Sequence, residues 1–185
     1  HVLGTLDERI ELNRKTNETL EGIVKALFKS WFIDFDPVRA KVEGRSTGLP
    51  DEISELFPDS YEDSELGEIP KEWNIQNFED VIDEYIDNRG KTPPIQSCEI
   101  PLIEVKHLAS NLFPNFKTQK YVSHETFRTW FRKHVQKYDV LISTVGTIGL
   151  TSIVFNSQFA IAQNVLGLRF CNKELSLYMF YLIKN

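Results

Sequence analysis

The sequence predicts an α+β protein: a long coiled-coil-type helix followed by a mixed β-sheet domain with peripheral helices. Three observations carry this. Leu6, Ile10, Asn13, Asn17, Leu20, Val24, Leu27 and Trp31 step by four and three, the spacing of a coiled-coil seam. Residues 38–70 are rich in breakers and acids. After residue 71, short apolar runs of strand length are interleaved with two helical patterns.

The helix is expected over residues 6–33. Thr5-Leu-Asp-Glu8 forms a capping box that places its start, and Asp7 and Glu8 lie at the positive end of the helix dipole. Pro37 closes the first segment, residues 1–37, and biases Asp36 away from helical geometry. About 28 residues at roughly 1.5 Å each make a rod of about 42 Å, long enough to act as a spacer. Gly22 inside it costs roughly 1 kcal/mol relative to Ala, which close approach of another helix would repay. Asn13 and Asn17 interrupt the apolar seam, as polar seam residues do when they fix register and partner. No later segment repeats the pattern at this length. The stripe is therefore expected to bury against a helix from another chain or from a further part of the protein, most simply the same helix of a second copy running antiparallel. Packing on the chain's own second half is the plainer alternative.

At 185 residues with net charge −6, the chain suits one domain plus an appendage. It carries no apolar run long enough to cross a bilayer and no basic-then-apolar leader, so no membrane partner is expected. Cys98 and Cys171 are too few for a disulfide framework and suit a reducing cytoplasm. The four histidines show no ligand spacing with them, so neither a metal nor another cofactor is expected. Asn17-Glu-Thr19 matches a glycosylation acceptor but lies mid-helix. The net charge hides a segregation. Residues 1–70 hold 8 basic and 16 acidic side chains, whereas residues 105–185 hold 10 basic and 3 acidic ones plus three histidines. A polyanion is repelled by the first part and attracted to the last.

Residues 38–70 carry three prolines, three glycines and the acidic run from Asp59 to Glu65, the composition of an extended linker with a short helical turn near residues 51–57. In residues 71–185, strands are expected at 100–105, 138–144, near Phe155, at 159–161 and at 165–170. Residues 78–85 suit a short strand or a helix. A helix is expected over 123–133, capped by Ser123, with Phe127, Trp130 and Phe131 inward and Arg128, Arg132 and Lys133 outward. Another amphipathic helix starts near Leu175 and meets no cap or breaker before Asn185, so the domain is expected to be truncated at its C-terminal end.

These residues resemble a known family. The runs Leu6-Asp-Glu-Arg-Ile-Glu-Leu-Asn13, Asn17-Glu-Thr-Leu-Glu21 and Ala26-Leu-Phe-Lys-Ser-Trp-Phe-Ile-Asp-Phe-Asp-Pro37 resemble the conserved spacer helix of type I restriction–modification specificity subunits. Glu62-Asp-Ser-Glu-Leu-Gly-Glu-Ile-Pro-Lys-Glu-Trp73 is similar to the start of their target recognition domains. Asn88-Arg-Gly-Lys-Thr-Pro93, Asp139-Val-Leu-Ile-Ser-Thr-Val-Gly-Thr-Ile-Gly149 and Ile161-Ala-Gln-Asn-Val165 are similar to motifs inside such a domain. The resemblance implies one spacer helix and one recognition domain of a subunit that has two of each. It also implies double-stranded DNA as ligand, methyltransferase and restriction-motor subunits as partners, and no catalysis by this subunit. The sequence lacks the glycine-rich cofactor loop and Asn-Pro-Pro-aromatic motif that adenine methylation would need. Val145-Gly-Thr-Ile-Gly149 lacks the Lys-Ser/Thr of a phosphate-binding loop and the third glycine of a dinucleotide turn.

The DNA-contacting set expected on this reading is a group of loops and one helix. Arg89, Lys91 and Thr92 lie in a proline-bounded loop, where Arg89 can fork onto guanine or hold a phosphate. Gln163 and Asn164 carry amides suited to adenine, and Thr144 and Thr147 carry hydroxyls for a phosphate or a base edge. Lys106, His107, Arg128, Arg132 and Lys133 suit phosphates, which position without specifying. Arg89, Lys91, Arg128, Arg132 and Lys133 are expected to share one positive face. Two other readings compete. Asp87 with Glu104-Val-Lys106 imitates the Asp…Glu-x-Lys arrangement of metal-dependent nucleases. A coiled-coil adaptor without a nucleic-acid role explains the helix but leaves the basic half without a purpose.

Overall fold

The computed structural model describes residues 2–88, 90, 92–108, 112–156 and 158–184. They form two compact units, residues 1–75 and 76–185.

In the first unit, α1 spans Val2–Phe32. It starts earlier than the capping box implies, so Thr5 lies inside the helix rather than at its cap. Leu6, Ile10, Leu20, Val24 and Leu27 are 40–66% exposed, and Asn13 and Asn17 are exposed with them. Trp31 departs from the seam: its ring meets Phe57 edge-on, 5.8 Å between centroids. Beside the seam Arg14 bridges Glu11 at 2.9 Å and Glu18 at 3.3 Å, largely in solvent, where such pairs add little.

Pro37 ends α1 less than it begins the next helix. Phe35 takes a left-handed turn (φ 55°), and α2, Asp36–Val42, follows with Pro37 in its first turn. Proline suits that position because its missing N–H has no helical partner there. The segment expected to be an extended linker is instead folded. It holds α2, α3 (Asp51–Ser54) and an antiparallel hairpin of β1 (Tyr61–Ser64) and β2 (Gly67–Pro70). An aromatic cluster organises it: Trp73 stacks on Phe32 at 6.2 Å and meets Phe35 edge-on at 5.5 Å, while Tyr61 reaches Phe35 at 6.5 Å. The cluster leaves no local signature, because its aromatics are widely spaced in sequence.

The second unit is layered. A four-stranded antiparallel sheet is built from β3 (Ile82–Ile86), β6 (Val140–Ser143), β7 (Thr151–Ile153) and β9 (Val165–Phe170), in the order β3-β9-β6-β7. A smaller sheet holds β4 (Ile100–Ile103), β5 (Tyr121–Val122) and β8 (Ala160–Ile161), in the order β5-β4-β8. Its β4–β8 pair is parallel and its β4–β5 pair antiparallel, which makes it the mixed sheet expected from the sequence. Between the sheets lies a core of Ile86, Ile103, Leu108, Leu141, Val154, Phe159, Ile161 and Val165. The period of two along β6 sends Leu141 into this core and Val140 to the other face. There α5, Lys173–Lys184, covers Val140, Ile153 and Leu168 with Met179 and Phe180. The outer face of the small sheet takes Phe131, with Phe127 packed against it, from the segment containing α4, His124–Thr129.

Ser123 caps α4 as expected, its Oγ accepting from Thr126 N at 2.9 Å. The helix stops four residues short of Lys133, and Trp130 is exposed rather than inward. No helix among the described residues is long and apolar enough to cross a membrane.

Candidate nucleic-acid interface

Strand order and register bring three loops to one end of the large sheet. β6 ends at Ser143, which pairs with Val165 at the start of β9. Ile142 pairs with Thr151, so the β6–β7 loop, residues 144–150, springs from the same end. β3 runs antiparallel to β9 and pairs Ile86 with Gly167, so the chain after β3 leaves there too. Residues 162–164 descend from β8, and Asn164 O accepts from Thr144 N at 3.0 Å, joining two of the loops directly. β4 lies parallel to β8, and Ala162 N donates to Ile103 O at 2.9 Å, so Glu104 and the 3-10 turn Val105–His107 emerge beside them.

Thr92, Lys106, Thr144, Thr147, Gln163 and Asn164 are thus borne by segments leaving one end of the sheets. Thr92, Lys106, Thr147 and Gln163 are exposed, and Thr144 and Asn164 are half-buried. Arg89 and Lys91, expected in the same set, lie outside the described residues.

The β6–β7 loop is held from below. Ser143 Oγ donates to Thr147 O at 2.6 Å and accepts from Leu150 N at 2.8 Å, while Gly149 N donates to Ser143 O at 3.1 Å. Gly146 (φ 80°) and Gly149 (φ 87°) take left-handed turns that other residues adopt only with strain. A Cβ at either would meet nothing within 4 Å, so conformation rather than crowding calls for glycine.

Three expectations need correction. His107 is 3% exposed, and its Nδ1 accepts from Glu104 N at 2.8 Å, so it braces the turn instead of facing a phosphate. Burial, then the nearby Lys106 charge, hold its imidazole below the ordinary histidine range. Lys133 is engaged with β3: its Nζ donates to Tyr85 O at 2.8 Å and lies 3.2 Å from Glu84. Helix α4 begins at the other end of β4, where His124 N donates to Glu99 at 2.8 Å, so Arg128 starts away from the loop cluster. Arg128 and Arg132 are exposed cations, but the topology does not gather them with Thr144 and Asn164 into one face.

The competing nuclease-like triplet gains no support from the geometry. Glu104 is bound by Lys120 at 2.6 Å and by Lys106 at 3.4 Å. Burial pushes its carboxyl up, but the two lysines outweigh that and hold it below its usual range. Among the described residues no group of three His, Cys, Asp or Glu side chains is placed to hold a metal ion. Glu104 therefore serves as an anchor for two lysines.

Two features escaped the sequence. One is the buried charge network under β3 and β9, where Arg169 meets Asp139, Glu84 and the His134 carbonyl. Its partners are far apart in the chain. The other is the pair Val145 and Ile148, exposed on the loop tip. Their signal was present, as β-branched residues set between glycines where turn chemistry calls for polar ones.

No protein-family model matches the chain. It is 29% identical to the type I restriction enzyme HindI specificity subunit of Haemophilus influenzae, over 82% of this chain and 42% of that protein. It is 32% identical to the MjaIX specificity subunit of Methanocaldococcus jannaschii, over 60% of this chain and 22% of that protein. The chain thus spans less than half the length of the curated relatives it matches. A chain solved in work on complex assembly and conformational transition of the type I R-M system covers 97% of this one, with 39% of its own length, at TM-score 0.51 and 17% identity. The HsdS subunit of Thermoanaerobacter tengcongensis covers 96%, with 41% of its own length, at TM-score 0.46 and 19% identity. At such identities the structural likeness concerns the fold alone.

Proposed function

We propose that this chain, a relative of the type I restriction enzyme specificity subunits, recognises a DNA sequence on behalf of partner subunits that methylate and cleave. On this reading the spacer helix is α1 within residues 1–37, residues 38–70 are a folded connector rather than an extended one, and the target recognition domain lies within residues 71–185. The chain itself is non-catalytic. Its partners are double-stranded DNA, methyltransferase subunits and, in the full complex, the restriction motor.

The observation that carries the reading is the convergence of the segments after β3, β4, β6 and β8 at one end of the sheets. That end offers hydroxyls at Thr144 and Thr147, amides at Gln163 and Asn164, and the Lys106 ammonium, and the segment that leaves β3 there leads on to Thr92. Amides and hydroxyls match base edges, and cations match phosphates. Arg89 and Lys91, neighbours of Thr92 in sequence, are the further cations expected to meet DNA. The exposed stripe of α1 is the seat of a second helix, from the remainder of the subunit or from another copy.

The test is a mobility shift with duplex DNA, using the complete specificity subunit assembled with its methyltransferase subunits and run from about 50 to 200 mM salt. Binding that weakens log-linearly with salt and yields a defined methylated site supports the reading. An assembly that binds and methylates no duplex at any salt overturns it.

A further inference from the structure

We infer that Val145 and Ile148 form an apolar reading head that packs on thymine methyl groups in the major groove. This rests on the DNA-recognition reading above and adds to it a contact class and two residues.

Val145 is 60% and Ile148 73% exposed, at the tip of a loop that Ser143 and two left-handed glycines hold in one shape. The hydrogen bonds that close the loop engage its main chain, and both side chains stand in water. The patch is only two side chains wide. Thr144 precedes the pair and Thr147 separates it in sequence, and Asn164 O accepts from Thr144 N at its base. That is far too small for a protein–protein interface, whose buried core spans many residues a side. The segments 144–149 and 162–164 contain no charged side chain, so the tip itself does not neutralise phosphate. Hydroxyls and amides around a small apolar point correspond to a base edge. The thymine C5-methyl is the apolar feature of base edges in the major groove, and aliphatic side chains contact it.

The experiment uses the complete subunit with its methyltransferase subunits and a duplex carrying the site that the wild-type assembly methylates. Each thymine of the site is replaced in turn by uracil, which removes only the methyl. At one or more positions the wild type should lose affinity, and the V145S/I148S variant should lose about tenfold on the natural site. In that variant the uracil duplex should bind no worse than the thymine duplex, since the same contact is then removed from both sides. The slope of affinity against salt should be unchanged, because no phosphate contact is lost.

Equal binding by wild type and variant overturns the inference while leaving DNA recognition intact. So does a variant that still distinguishes thymine from uracil, or a wild type that never does. A wild-type assembly that recognises no site overturns the recognition reading and the inference together. Both positions are exposed, and an unchanged melting temperature separates lost contact from lost fold.

Discussion

Arg169 and Asp139 meet in a two-pronged contact, Nε to Oδ1 at 3.0 Å and Nη2 to Oδ2 at 2.9 Å, beneath the β3 edge of the large sheet. Asp139 is 2% exposed and also accepts from Gln136 N at 2.7 Å. Burial pushes its carboxyl up, opposed by the guanidinium, whose own pKa the pair raises. Arg169 Nη1 further reaches Glu84, to which Lys133 is paired. Removing one partner strands a buried charge. Arg169→Leu leaves the buried Asp139 carboxylate without its cation and should cost about 3–5 kcal/mol. Asp139→Leu leaves Arg169 its Glu84 and His134 contacts and should cost less. The double replacement should cost clearly less than the sum of the two. Urea unfolding of the four variants of the cycle measures this.

Gly167 gives a second, independent weakness. A Cβ there would lie 2.9 Å from Ile86 Cβ, a contact that neither strand can relieve by rotating a side chain. Gly167→Ala should destabilise by about 1–3 kcal/mol through overpacking. Adding Ile86→Val leaves Cβ in place and should recover little. Adding Ile86→Gly should relieve the clash at the price of a cavity. Denaturant midpoints for the three variants decide.

Acid should loosen the second unit. Burial lowers the folded-state pKa of His107 and His134, so both are favoured neutral when folded. A depressed pKa gives stability that is complete above the unfolded value, about 6.5, and is lost as pH falls through the folded value. Glu104, also lowered, extends the loss further down, below its unfolded value of about 4.3. Asp139, raised by burial, works the other way and offsets part of the loss as it takes up its proton. The histidines titrate first, so thermal midpoints should begin to decline below about pH 6.5. A midpoint that rises on going from pH 7 to 5 would contradict this assignment.

The exposed stripe of α1 predicts association. Leu6, Ile10, Leu20, Val24 and Leu27 together remove a large apolar area from water when covered, on the order of 1.5–3 kcal/mol per fully buried side chain. This chain should show concentration-dependent self-association by light scattering at micromolar levels. Ile10→Lys with Leu20→Lys should return it to monomer without loss of helical circular dichroism. A monomer at all concentrations would mean that the stripe finds no partner in a second copy.

The long helix was legible because one period runs unbroken from Leu6 to Trp31, and the signal accumulates with length. So were β6 and β9, whose apolar runs are covered on both faces, and the Ser123 cap, a local hydrogen bond. What could not be read were the two-residue strand β5 and the aromatic knot of Phe32, Phe35, Tyr61 and Trp73, which depend on distant partners rather than on pattern. Within the site, Thr144, Thr147, Gln163 and Asn164 were legible as loop residues, and strand register added their proximity. His107 and Lys133 were misjudged for one reason. Their charge suggested solvent, while tertiary contacts drew them toward Glu104 and Tyr85.

The Ser143 staple touches only main-chain atoms of the loop it closes, the Thr147 carbonyl and the Leu150 amide. The side chains at 145, 147 and 148 therefore take no part in closing it, and the frame is indifferent to what they are. Such a tip can be rewritten one residue at a time, with each new alphabet of contacts presented on unchanged scaffolding. A library randomised at those three positions, with Gly146 and Gly149 kept, should yield mostly folded proteins that differ in what they touch.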